Sequence, residues 1–264
     1  MKNHTVILGN FPIVVHVPHG GLAFPKNSRV NLAVDLHKEI YTMADLHTPL
    51  IFDRIQSILA DRGLRAYGFV NNVSRVYVDP ERFDDDTEEM NAVGMGVVYS
   101  KSSDGHELYT APLSSSLIAT RKNEVYIPHA SNFETLVSNI LDEYGKVMII
   151  DLHSYSMDAL PYELHKTAER PEFCLGVDSF HLTTSTQDKV LTYMKDSVFS
   201  YAENAPFSGS YVPLRFYGKD SRVQSLMLEI RKDTYMDEAT FTPHEGIEAI
   251  SLIIANLIEK LGKN

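Results

Sequence analysis

Apolar positions along this chain follow two alternating rhythms. Short β-branched runs suit buried strands near residues 5–8, 12–17, 64–70, 73–78, 147–151, 173–177 and 223–230. Between them the spacing changes to that of helices. Ser131 and Glu134 stand at capping-box distance, Leu136, Val137, Ile140 and Leu141 follow at helical intervals, and Gly145 predicts the stop. A further helix is predicted after Ser185, carrying Val190, Leu191, Met194 and Val198. Thr242-Pro243-His244-Glu245 predicts a last helix start, and Ile247, Ile250, Ile254, Leu257, Ile258 and Leu261 form one apolar stripe that must dock on the core. Such alternation predicts an α/β fold, a mixed and mostly parallel sheet with helices on both faces. No repeat, linker or composition shift interrupts it, so one domain is expected over residues 1–264. Asp84 to Gly105 is the irregular part. It reads either as an ordered loop over a site or as a mobile excursion.

Bulk properties narrow the function. With 264 residues, 44% hydrophobic and 22% charged, the chain can bury one large core. Its net charge of −11 argues against nucleic acid as a partner, while local arginines could still bind a small anionic substrate. A lone cysteine, Cys174 in an apolar run, excludes an internal disulfide and a cysteine-rich metal site. No run reaches the ~20 apolar residues of a membrane span. The N-terminus has no signal-peptide pattern, and the cytoplasm is the expected location.

Chemistry collects where predicted strands end. Val147 to Ile150 runs into Asp151-Leu152-His153-Ser154-Tyr155-Ser156, Ile13 to Val17 into Pro18-His19-Gly20-Gly21, and Leu226 to Leu228 into Glu229-Ile230-Arg231. Ligands of open α/β sheets bind beyond the carboxyl ends of strands. Three such ends carrying histidine or carboxylate point to an enzyme with a metal, zinc first. His19 reads as a ligand left open by its glycines, or as a hydrogen-bonded turn residue. His153 has Asp151 on the same strand face, where a carboxylate orients a metal-bound imidazole. Either side chain of Asp45-Leu46-His47 could complete a site of two nitrogens and one carboxylate, or both could lie on a solvated helix face. Arg75 and Arg82 flank an apolar core and suit a carboxylate, or they pair with Asp79, Glu81 and the Asp84-Asp85-Asp86 run. Glu229, at an apolar strand's end, needs a functional role or an ion pair with Arg231 to justify its burial.

These pieces together resemble the N-formylglutamate amidohydrolase (deformylase) family of histidine breakdown. The likeness runs through Pro18-His19-Gly20-Gly21, Asp45-x-His47 with Leu50 to Asp53, Ser74-Arg75 to Arg82, Pro128-His129, Asp151-x-His153-Ser154, Arg215-x-Tyr217-Gly218, and Leu228-Glu229 with Thr234-Tyr235-Met236. The Asp151 segment is also similar to the third ligand motif of metallocarboxypeptidases. The resemblance implies a three-layer α/β/α, zinc-exopeptidase-like (phosphorylase/hydrolase-like) fold and a zinc amidohydrolase acting on a small carboxylate substrate such as N-formylglutamate. Iron, cobalt or manganese could occupy a similar site. By that analogy His19, Asp45 and His153 hold the metal, with Asp45 chosen over His47. Glu229 is the general base and Arg75 stabilises the oxyanion. Arg82 grips the α-carboxylate, and Arg215, Tyr217, His129 and His47 line the pocket. Two departures stand out. The carboxypeptidases' His-x-x-Glu is missing, with Leu22 three residues after His19, and the family's Asp-Leu-Asn-Arg reads Asp79-Pro80-Glu81-Arg82. A zinc carboxypeptidase, another N-acyl-amino-acid hydrolase and a non-catalytic binder of a carboxylate metabolite are the alternatives.

Overall fold

Burial decides the sheet. In the computed structural model, which describes residues 2–28, 32–164, 166 and 169–263, seven strands pair in one sheet. They are β1 (His4–Ile7), β2 (Ile13–Val17), β3 (Tyr67–Asn71), β4 (Val147–Tyr155), β5 (Phe173–Val177), β6 (Tyr201–Glu203) and β7 (Val223–Arg231), in the order β1-β3-β2-β4-β7-β5-β6. β3, β2, β4 and β7 run parallel, β1 and β5 are antiparallel to their inner neighbours, and β6 is parallel to β5. The central strands are buried almost throughout because helices cover both faces. On one face Ile13, Val15, Ile150, Leu226 and Leu228 pack with α2 (Thr48–Ala60), α5 (Thr184–Lys195) and α6 (Gly246–Gly262), after α1 (Leu36–Met43) has led the chain across. On the other, Val14, Phe69, Ile149 and Val223 meet Phe133, Leu136, Val137 and Ile140 of α4 (Ile127–Tyr144), which continues α3 (Ser115–Arg121) through a π-turn at Lys122–Tyr126. The three-layer α/β/α arrangement expected above is the observed one.

Local differences have physical reasons. Residues 73–78 form turns, not a strand. Val73, Val76, Tyr77 and Val78 are all buried, but in a satellite core with Phe24, Met95, Tyr99 and Leu108, so their apolar character does not reflect sheet pairing. That core also orders the Asp84 to Gly105 segment, which holds a 3-10 turn at Glu89–Val93. Ser131 lies inside α4, its hydroxyl bonded to the Pro128 carbonyl at 3.4 Å; the helix starts earlier, with Pro128 in its first turn, and stops at Gly145 with φ 73°. The Glu245 side chain does not cap α6; His244 Nδ1 instead accepts from the Gly246 amide at 3.1 Å, and Thr242–Pro243 pairs with Met236–Asp237 as a short ribbon. Among the described residues, no helix is long and apolar enough to cross a membrane.

Ile150, fully buried on β4, measures how much the core contributes. Ile150→Ala is expected to cost about 2–5 kcal/mol in a denaturant titration, the range for a large-to-small change with incomplete collapse. A loss below about 1 kcal/mol would mean the sheet is not packed as described.

Candidate active site

Strand register brings the polar residues together. β2 and β4 are aligned so that His16 neighbours Asp151, and β4 and β7 so that His153 neighbours Glu229. Just past β2, His19 is held from two sides by its glycines. A Cβ on Gly20 would fall 2.4 Å from the Pro49 ring, and one on Gly21 would fall 2.4 Å from the Asn72 backbone. The glycines therefore serve close packing of the start of α2 and the Arg75 loop against His19, and not an open approach for substrate. The Asp45 amide donates to the His19 carbonyl at 3.1 Å, which fixes the α1–α2 connection beside it.

Three donor atoms converge there. His19 Nδ1 and His153 Nδ1 are 3.2 Å apart, and Asp45 Oδ2 is 3.1 Å from His153 Nδ1 and 3.7 Å from His19 Nδ1. Zinc bonds of about 2.0–2.2 Å in tetrahedral geometry set ligand atoms about 3.4 Å apart, so this set fits a metal ion. Behind it, His19 Nε2 sits 2.9 Å from Asp79 Oδ1, while His153 Nε2 faces Asp151 Oδ2 and Glu81 Oε2, each at 3.2 Å. Carboxylates on the outer nitrogens are the usual orienting partners of metal-bound imidazoles. His19, Glu81 and His153 make another convergent set, with Glu81 Oε2 3.6 Å from His19 Nε2 and 3.2 Å from His153 Nε2. Those nitrogens already face Asp79 and Asp151, which leaves the Nδ1 edge as the better place for an ion.

The site is densely charged. Among the described residues, five carboxylates, those of Asp45, Asp79, Glu81, Asp151 and Glu229, gather with Arg75, Arg82 and Lys232 and with the imidazoles of His16, His19 and His153. Burial alone would raise Asp45 and lower His153. Hydrogen bonds from His153 and His19 instead hold Asp45 below the usual carboxylate range, and Asp151 and Glu81 hold His153 well above the usual imidazole range. Glu229 differs: burial pushes its carboxyl up to about 7, and its Oε2 is buried without a hydrogen-bond partner. Arg231 pairs with Asp233 at 2.7 Å, so it does not neutralise Glu229.

The residues surround a cavity of about 740 Å³. His19, Asp45, Arg75, Arg82, His153, Tyr217 and Glu229 line it. Arg75 and Arg82 do share Asp79, at 3.0 and 3.3 Å, yet both still reach the cavity. Tyr99 braces the pair, its hydroxyl donating to Asp79 at 2.7 Å. Three expected pocket residues lie elsewhere. His47 adopts φ 65° at the start of α2, and its Nε2 bonds the Phe241 carbonyl at 3.0 Å. His129 is buried behind the wall against His16, at 3.0 Å. Arg215 is exposed and lies over the Phe216 ring. The irregular segment contributes Glu89 and Met90 to the cavity, next to Phe83 just before it.

Two buried residues escaped the sequence reading. His16 occurs within an apolar strand, where an isolated histidine inside Ile13–Val17 was the available signal. Lys232 follows β7 and lines the cavity, its ammonium 3.3 Å from the Thr42 carbonyl, and burial lowers its pKa. Nothing in its local sequence separates it from a solvated lysine.

Comparison with known proteins places this arrangement. The chain superposes on a crystal structure of N-formylglutamate amidohydrolase from Ralstonia eutropha with a TM-score of 0.85 and 21% identity, covering 100% of this chain and 98% of that one. A gene product of Agrobacterium tumefaciens superposes with a TM-score of 0.70 and 17% identity, covering 98% and 94%. Both likenesses establish the shared fold. No curated protein sequence matches the chain. The sequence model of N-formylglutamate amidohydrolase matches residues 11–236, which spans every strand that delivers a site residue. The chain therefore belongs to the N-formylglutamate amidohydrolase family.

Proposed function

We propose that the chain is a zinc-dependent amidohydrolase that removes an N-formyl or related N-acyl group from an amino acid, with N-formylglutamate the leading substrate. The observation that carries this reading is the His19–Asp45–His153 donor set beside the unpartnered carboxyl of Glu229. A divalent ion held by those three residues would polarise the acyl oxygen and make water a stronger acid. The chain's own groups supply the rest. Glu229 accepts a proton from the attacking water and returns it to the leaving amine, a role suited to a carboxyl whose pKa lies near 7. Arg75, fixed by Asp79 at 3.0 Å and by Tyr99 at 2.9 Å, stands ready to stabilise the oxyanion without reorganising.

Arg82 and Lys232 are proposed to take the substrate's carboxylates. Lys232 bears on the departure at position 81. Glu81 lies close to His16 and His153, and a second cation in the cavity offsets the repulsion that a glutamate side chain would otherwise meet. Metal-loaded enzyme should therefore release formate from N-formylglutamate faster than from neutral formyl amino acids, and faster than it cleaves N-acetyl amino acids or short peptides. Preference for peptides would favour a carboxypeptidase. Saturable stabilisation by N-formylglutamate with no turnover of any substrate would favour a binding protein.

A further inference from the structure

Behind His153 lies a second group of donors. His16 Nδ1 is 3.0 Å from Asp151 Oδ1 and 3.1 Å from Glu81 Oε1. The other oxygens of the same two carboxylates face His153 Nε2, each at 3.2 Å. Two carboxylates are thus clamped edge to edge between two imidazoles. Asp151 Oδ2 also accepts the Tyr211 amide at 3.1 Å. Glu81 is anchored less well: its side chain is only 9% exposed, and its Oε1 makes no hydrogen bond. A buried carboxylate oxygen that makes no hydrogen bond is costly, and two ionised carboxylates this close repel one another.

We propose that His16, Glu81 and Asp151 form a second divalent-cation site, set back to back with the first across the His153 imidazole. One nitrogen and two carboxylate oxygens, all within 4.8 Å of one another, suit zinc, cobalt or manganese more than calcium or magnesium. The His16 ring is already oriented: it stacks on Phe133 at 4.3 Å between centroids, and its Nε2 meets His129 Nε2 at 3.0 Å. That contact gives a metal-bound His16 the outer hydrogen bond such ligands use. It also gives the buried His129 a role outside the substrate pocket. The ion neutralises Glu81 Oε1 and Asp151 Oδ1, leaving Oε2 and Oδ2 to hold the Nε2 proton of His153. The second ion therefore fixes the ring on which the first site depends. The proposal extends the zinc reading above but uses a separate ligand set.

The test is metal stoichiometry, which needs no substrate. Protein stripped with chelator is titrated with Co2+, with metal counted by mass spectrometry and followed by visible absorbance. Wild type is expected to bind about two ions per chain and His16→Gln about one, as a two-metal site requires. Asp45→Ala should also bind about one, with the absorbance bands of the His16 set, and Glu81→Gln should lose the ion that His16→Gln loses. Two ions in wild type and still two in a folded His16→Gln or Glu81→Gln would overturn the proposal. One ion in wild type, lost in Asp45→Ala, would overturn it while leaving the first site intact. No bound metal would overturn both.

Discussion

Glu229→Gln is expected to lower kcat by about 10²–10⁴-fold, the usual contribution of a positioned general base. Metal content and fold should not change. Glutamine has nearly the same shape as the buried acid, and β7 places the side chain beside His153 by backbone register, which the substitution does not touch. The wild-type carboxyl must be ionised to accept a proton, so kcat/KM should fall along an acid limb. In the metal-free site, burial, partly opposed by the charge of His153, puts that limb at about pH 7, and a nearby divalent ion, by favouring the charged form, moves it lower. The residual activity of Glu229→Gln should lack the limb. Stability offers an independent reading in the metal-free protein. The folded carboxyl binds its proton more tightly than the ordinary 4.5, so the folded state loses stability as pH rises from about 4.5 through about 7. Glu229→Gln removes that slope. Unchanged turnover, or an unchanged acid limb in the variant, would remove Glu229 from the proton-transfer role.

The legible part of this site was the part attached to regular structure. His19, Asp151, His153 and Glu229 each follow or end an apolar run, and parallel strands must present such ends at one edge. What the sequence hid depends on tertiary packing. Val73 to Val78 has the residues of a strand, but its apolar side chains enter a satellite core that no local period reveals. His16 was obscured by its own strand, where one histidine among valines and isoleucine gives no clue that Asp151 and Glu81 come within about 3 Å. Lys232 and Arg231 are adjacent in sequence, yet one enters the cavity and the other turns to Asp233. In each case the deciding contact comes from a distant segment or a backbone turn, and residue type or spacing does not encode it.

The sharpest such choice is between Asp45 and His47, and it gives the second large effect. Asp45→Ala is expected to abolish stoichiometric binding at the first metal site, while His47→Ala retains it. Both residues are plausible ligands by chemistry, and only one residue separates them. The backbone distinguishes them. Asp45 is buried, its Oδ2 accepts the Ser154 amide at 3.2 Å, and the same oxygen lies 3.1 Å from His153 Nδ1. His47 sits at φ 65°, in the left-handed region that few non-glycine residues adopt, and this turns its ring towards the Phe241 carbonyl. Removing the His47 ring should loosen only that contact, the loss of one ordinary hydrogen bond at about 0.5–1.5 kcal/mol. Removing Asp45 deprives the two imidazoles of their carboxylate partner and leaves Arg75, 3.6 Å from Asp45 Oδ1, with less to hold it in place. The Asp45→Ala loss should persist in excess zinc and appear equally in activity and in metal content. Asp45→Asn separates charge from shape: it keeps an oxygen where the ligand stood but should bind the ion far more weakly, because a neutral amide is a poorer zinc donor than a carboxylate. If zinc falls in His47→Ala and stays in Asp45→Ala, the middle ligand is the histidine and the α1–α2 turn must rearrange around the metal.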